Sequence, residues 1–102
     1  MKNKVVKSKK KYVIVRTYSA GVFAGFLESK KGQEVTLSNA RRLWYWKGAA
    51  SLSQLAIDGV KYPNECKFPA PVSEIQLTQA IEILAVTPTA KKTIESVAVW
   101  QA

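Results

Sequence analysis

Residues 12–28 constrain the fold more than any other stretch. Tyr-Val-Ile-Val-Arg-Thr-Tyr at 12–18 is dense in β-branched and aromatic side chains, which fit a pleated surface and lose rotamer freedom in a helix. In a strand, Val13, Val15 and Thr17 share one face, and Tyr12, Ile14, Arg16 and Tyr18 the other. Ser19-Ala20-Gly21 supplies a turn whose glycine is open to positive φ, and residues 22–28 return as a second strand. Gly25, inside that strand, predicts a bulge or a close approach by another backbone or a ligand. A chain that begins with such a hairpin is committed to an antiparallel sheet.

The remaining chain extends that sheet and adds two helices. Residues 34–37 read as a third strand, Ser38-Asn39 as a corner, and residues 40–46 as a fourth strand. Ser51 with Gln54 three residues on matches a capping box. Leu52, Leu55 and Ala56 give that short helix its apolar side, and Gly59 ends it. Pro63, Pro69 and Pro71 mark a rigid irregular loop, with Phe68 as a core plug. Ile75, Leu77, Ile81 and Ile83 alternate with mostly polar residues, which gives one long strand or two strands broken at Thr78-Gln79. Thr87 or Thr89 caps a last helix with Pro88 in its first turn; Ile94 and Val97 form its stripe, and Trp100 docks the chain end. The expected fold class is α+β: an antiparallel meander, one short inserted helix and a C-terminal helix.

Charge divides the chain in two. Of the formal +9, six charges come from Lys2, Lys4, Lys7, Lys9, Lys10 and Lys11. Residues 1–11 therefore read as a lysine-rich flexible arm, and residues 12–102 as a single, mildly basic α+β domain. The arm is either a solvated tail or a source of non-specific affinity for nucleic acid. One cysteine, Cys66, and no histidine exclude a disulfide framework and a zinc site. No apolar run is long enough to span a membrane or serve as a signal peptide, so no membrane partner and a cytoplasmic setting are expected.

Catalytic chemistry has few carriers here. Without histidine the usual proton shuttle near neutral pH is missing, the seven carboxylates are scattered, and no phosphate-cradling glycine loop is present. The chain reads as a non-enzyme with no metal and no cofactor. Binding is another matter. Asn-Ala-Arg-Arg-Leu-Trp-Tyr-Trp-Lys-Gly at 39–48 sets Arg41 and Arg42 just ahead of Trp44, Tyr45 and Trp46. Guanidinium forks suit phosphate, and aromatic rings suit bases. As a strand, the stretch groups Arg42, Trp44 and Trp46 against Arg41, Leu43 and Tyr45; as a helix, Arg41 meets Tyr45, or Arg42 meets Trp46. The alternative is that the tryptophans anchor the core under arginine stems. Arg16, Phe23 and Ser51, at a helix N-terminus, complete the candidate ligand-binding set.

Three runs carry a resemblance: Val-Arg-Thr-Tyr-Ser-Ala-Gly-Val-Phe-Ala-Gly at 15–25, Asn-Ala-Arg-Arg-Leu-Trp-Tyr-Trp-Lys-Gly-Ala at 39–49, and Ser-Leu-Ser-Gln-Leu-Ala-Ile-Asp-Gly at 51–59. With Lys-Phe-Pro at 67–69 and Ile-Glu-Ile-Leu at 81–84, they make the chain resemble the Thoeris anti-defence family of phage cyclic-nucleotide sponge proteins over about residues 12–100. The resemblance implies a protein that sequesters a cyclic ADP-ribose isomer, and in some relatives cyclic oligonucleotides, without cleaving it. It also implies a homo-oligomer, a dimer or larger, with pockets between protomers, inside the bacterial host cell. The lysine arm lies outside the shared pattern. A small nucleic-acid-binding module using arm and arginines, or a protein-interaction subunit with exposed aromatics, are the competing readings.

Overall fold

The computed structural model describes residues 10–101; most of the lysine arm lies outside the described residues. Strand β1 (Tyr12–Thr17) and strand β2 (Val22–Lys31) form the expected hairpin. Strand β3 (Glu34–Arg42) follows, then helix α1 (Leu52–Asp58) and a 3-10 turn at Pro63–Glu65. Strands β4 (Val72–Leu77) and β5 (Ala80–Ala85) and helix α2 (Pro88–Ser96) complete the chain. The result is an α+β fold with one antiparallel sheet in the order β4-β3-β2-β1-β5. Lys10 and Lys11, the end of the arm, join the sheet's margin: Lys10 Nζ lies 2.6 Å from Glu28 Oε1, and Leu27 N–H donates to the Lys11 carbonyl.

That strand order forces the sheet to curl. In a flat sheet β4 and β5 would be four strand spacings apart, about 19 Å. Only Thr78 and Gln79 join them, and three Cα–Cα steps reach at most about 11 Å. The edges therefore swing toward each other, pinned where Tyr18 N–H donates to the Gln79 carbonyl (2.9 Å) and Ala80 N–H to the Gln33 carbonyl (3.0 Å). Two apolar layers result. Val13, Val15, Phe23, Val35, Leu37 and Leu77 fill the concave side, while Ile14, Ala24, Leu43, Leu55, Phe68 and Ile94 lie under the helices. Strand β1 is buried on both faces, which explains its unbroken Tyr-Val-Ile-Val run.

The helices are tied by their caps. Ser51 Oγ accepts from Gln54 N–H at 3.2 Å, and the Gln54 amide oxygen accepts from Ala50 N–H, one residue outside a regular capping box. Gly59 ends α1 at φ 77°, and a Cβ there would clash with Thr93 Oγ1 of α2. Thr87 Oγ1 accepts from Ala90 N–H and donates to the Ile57 carbonyl, so one hydroxyl caps α2 and closes α1. Ile81 departs from its expected inward place. An extra residue shifts the β1–β5 register between Arg16 and Thr17, and Ile81 turns outward.

The expected fourth strand does not form as such. Instead β3 runs on through Asn39 to Arg42 by a bulge, then leaves the sheet. Ala24 pairs with Arg41 but Phe26 with Ser38, so β3 carries one extra residue there. Asn39 absorbs it at φ 47°, a left-handed conformation that Asn tolerates. Gly25 sits opposite, and a Cβ on it would lie 3.0 Å from Ala40 Cα and from the Ser38 carbonyl. The glycine thus marks both a bulge and a close backbone approach.

Candidate functional site

The bulge decides where the two arginines go. Counting alternately from Val35 and Leu37, Arg41 would fall on the concave side; the extra residue exchanges the faces. Arg41 pairs with Ala24 toward the helices, and Arg42 with Phe23 on the concave side. Arg41 is only 6% exposed. Its Nε donates to the Pro69 carbonyl (3.0 Å), Nη2 to that of Phe68 (3.1 Å) and Nη1 to that of Ile94 (3.1 Å). Ile94 lies in the last turn of α2, where free carbonyls concentrate negative charge and favour a cation. Burial lowers the Arg41 pKa, with neighbouring Tyr12 acting in the opposite sense. Arg41 thus staples β3, the proline loop and the end of α2.

Arg42 is exposed, with its guanidinium carbon 4.7 Å from the Phe23 ring centroid. Beyond it, Leu43 N–H donates to the Val22 carbonyl and the Leu43 side chain enters the helix-side core. Tyr45 then pairs with Lys67 through two main-chain bonds, Tyr45 N–H to Lys67 O (3.2 Å) and Lys67 N–H to Tyr45 O (2.8 Å). This pairing lays residues 42–46 beside the proline loop. Phe68, fully buried, bridges in parallel to Val99, and Trp100 N–H donates to the Phe68 carbonyl.

Those links assemble an aromatic ledge from three distant segments. Trp44 and Trp100 stack with centroids 5.0 Å apart and planes 9° from parallel. Both stay open to solvent, 58% and 37% exposed, and Tyr45 beside them is 46% exposed. Lys67 Nζ lies 5.6 Å from the Trp44 ring, 5.7 Å from Trp100 and 5.9 Å from Tyr45. An ammonium held among three rings is within cation–π range of each. Flat, half-exposed indoles with a cation beside the stack can stack a planar ring and attract an anion.

The other candidate residues go elsewhere. Trp46 does not share Trp44's surroundings; the regular alternation stops at Arg42, and its ring packs half-buried on the helix-side core. Phe23 is buried under Arg42. Ser51 has its hydroxyl on the α1 cap, and Arg16 Nε ion-pairs with Glu82 on β5 at 2.8 Å. Trp44 and Tyr45 are brought together; Arg41 and Arg42 are parted to opposite faces. Sequence reasoning missed Lys67 as a binding group and gave Trp100 only a docking role. Neither has a local signal, because both reach the ledge through the pairings at Tyr45 and Phe68.

Near the staple, a hollow of about 200 Å³ is lined by Tyr12, Asn39, Arg41, Pro71 and Glu95. Burial, and then the Glu95 carboxylate, push the Tyr12 phenol up to about 12, with Arg41 pulling the other way. Cys66 is buried, and its Sγ accepts from Lys47 N–H at 3.4 Å, a structural setting. Among the described residues, no group of three or more metal-ligating side chains comes together, and no helix is long and apolar enough to cross a membrane.

Residues 10–94 match DUF6948, a domain of unknown function, and the chain belongs to that family. No curated protein and no solved structure matches it.

Proposed function

We propose that this DUF6948 protein binds and holds a cyclic nucleotide signal, a cyclic ADP-ribose isomer or a cyclic oligonucleotide, without cleaving it, in the cytoplasm of a bacterial host. The observation that carries the reading is the open face of Trp44, backed by Trp100, with Lys67 Nζ at 5.6 Å. A base laid on an indole gains roughly 1–3 kcal/mol, and the ammonium offers charge to a phosphate. Arg41 is committed to three carbonyls and Arg42 lies away from the ledge, beside Phe23, so the first phosphate contact passes to Lys67. The chain has no histidine, and sequestration needs affinity without turnover. One ledge covers only one side of a ligand, whereas small-molecule sites bury most of it; a second copy closing over the nucleotide completes the pocket in a homo-oligomer.

Calorimetry against cyclic ADP-ribose isomers and cyclic di- and trinucleotides tests this. Stoichiometric capture is expected, with intact nucleotide recovered after heat denaturation. A cleaved product, or no heat with any of them, overturns the reading. The same stacked indoles would also suit single-stranded nucleic acid. In that case deletion of residues 1–11 abolishes binding and affinity falls steeply with salt, while capture of a small nucleotide survives the deletion.

A further inference from the structure

On the concave side of the sheet, away from the ledge, Arg42 stands at the lip of a second concavity. Its floor is Phe23 and Ala40, 1% and 2% exposed, and one wall is Val72 and Ile75 of β4. Pro69 and Ala70 form the opposite rim. None of the ledge residues lines it. We propose that this cleft is a binding site for a small apolar carboxylate, a branched aliphatic acid whose chain fills the cleft and whose carboxylate meets Arg42.

Three features define that ligand. The cleft holds about 180 Å³, the share of roughly six waters, which suits a branched chain of about four or five carbons. Its lining is apolar apart from one cation, so a chain entering it displaces water from surfaces that cannot hydrogen-bond it. The Arg42 guanidinium makes no hydrogen bond or ion pair among the described residues. Its fork therefore remains open to a bidentate acceptor. A single cation matches the single charge of a carboxylate; a phosphate dianion would have one charge left against apolar walls, at a desolvation cost.

The site is also preformed. Pro69 and Pro71 fix φ along the rim, and the Arg41 bonds to the Phe68 and Pro69 carbonyls hold that rim in place. Val72 keeps 47% of its surface exposed although apolar. A ligand there meets little ordering cost. The larger concavity of about 440 Å³, where the β2–β3 turn meets β5, sets charges of both signs, Lys30 and Glu82, beside Ala80, Ile81 and Ile83, so no lone cation faces its apolar lining.

The test uses 4-methylpentanoate as probe, followed by amide shifts of the full-length protein in NMR. Shifts are expected at Phe23, Ala40, Arg42, Val72 and Ile75, with 4-methylpentanamide and acetate each weaker by on the order of tenfold, since each lacks one of the two features. Arg42→Met keeps the stem over Phe23 and is expected to weaken the acid similarly; Ala70→Phe should fill the cleft and abolish the shifts. Equal binding of acid and amide overturns the proposal. So do shifts mapping to Trp44 and Lys67, retained affinity in Arg42→Met, or inorganic phosphate binding as well as the acid. The amide comparison needs no variant, so a folding defect cannot imitate success.

Discussion

Arg41 and Arg42 are neighbours in sequence and opposites in the structure. Arg41 is buried, with three main-chain acceptors and the carbonyl end of α2 around it. Arg42 lies in the open, with a ring beneath it. The same residue type serves as a staple on one face of the sheet and as a surface cation on the other. Alternation along the strand puts neighbours on opposite faces; the extra residue at Asn39 decides which arginine takes which face. The lesson extends along the whole 39–48 stretch: composition names a kit of cations and rings, and local backbone geometry sorts its parts between core and surface.

Substituting each arginine in turn breaks the comparison most directly. Arg41→Met removes three charge-assisted bonds; the Pro69 carbonyl loses its partner, while those of Phe68 and Ile94 keep the N–H groups of Trp100 and Val97, and a loss of about 3–5 kcal/mol is expected in chemical denaturation. Arg42→Met should stay within about 1 kcal/mol of wild type, the scale of an exposed cation–π contact. Equal losses would mean that the two environments are not different.

Tyr12 sharpens the buried half. In the unfolded chain its phenol ionises near 10, and in the fold at about 12. The native state holds that proton more tightly, so its contribution is complete below pH 10 and is lost as pH rises toward 12, by about 2–3 kcal/mol. Glu95 and Arg41 face the phenol, and Lys91 Nζ lies 5.6 Å from its ring. Stability measured between pH 9 and 12 should show this alkaline decline, and Tyr12→Phe should flatten it.

On the exposed half, Trp44→Ala should weaken nucleotide capture by roughly 1–3 kcal/mol while the fold persists. Trp46→Ala, at a ring packed on the core, should instead lower stability by about 3 kcal/mol or less, given its partial burial. Capture that survives Trp44→Ala would remove the ledge from consideration. The hinge itself has a smaller effect than the Arg41 staple. Asn39→Val should lose about 1–2 kcal/mol because a β-branched residue resists positive φ, whereas Asn39→Gly should stay within about 0.5 kcal/mol.

Much of the fold is legible in the chain. Local signals placed the hairpin, the Ser51 cap, Gly59 and Phe68 in the core, and narrowed the last cap to Thr87 or Thr89 and residues 74–86 to one strand or two broken at Thr78-Gln79, because each depends on residues within a few positions. Ile81 and the run 40–46 were misplaced, since an alternating pattern carries no mark of an inserted residue. The local hints were Gly25, on the strand opposite the bulge, and the corner read at Ser38-Asn39, which marked the place without showing that the strand continues through it. Of the candidate site, Trp44 and Tyr45 were legible as members of an aromatic stretch whose faces stayed open between core and surface; Lys67 and Trp100 were not legible, because they reach the ledge from 22 and 55 residues beyond Tyr45.

The sequence by itself determined the alphabet of this protein: an antiparallel sheet, two capped helices, a chain without histidine, and one segment rich in cations and rings. Those properties rest on backbone sterics, side-chain chemistry and short-range hydrogen bonding. Only the tertiary structure decided which arginine is buried, which tryptophan is open and which lysine stands among the rings. Face assignment passes through a bulge, and the ledge is closed by pairings between distant segments; both are settled only when the sheet curls and its two cores are filled together.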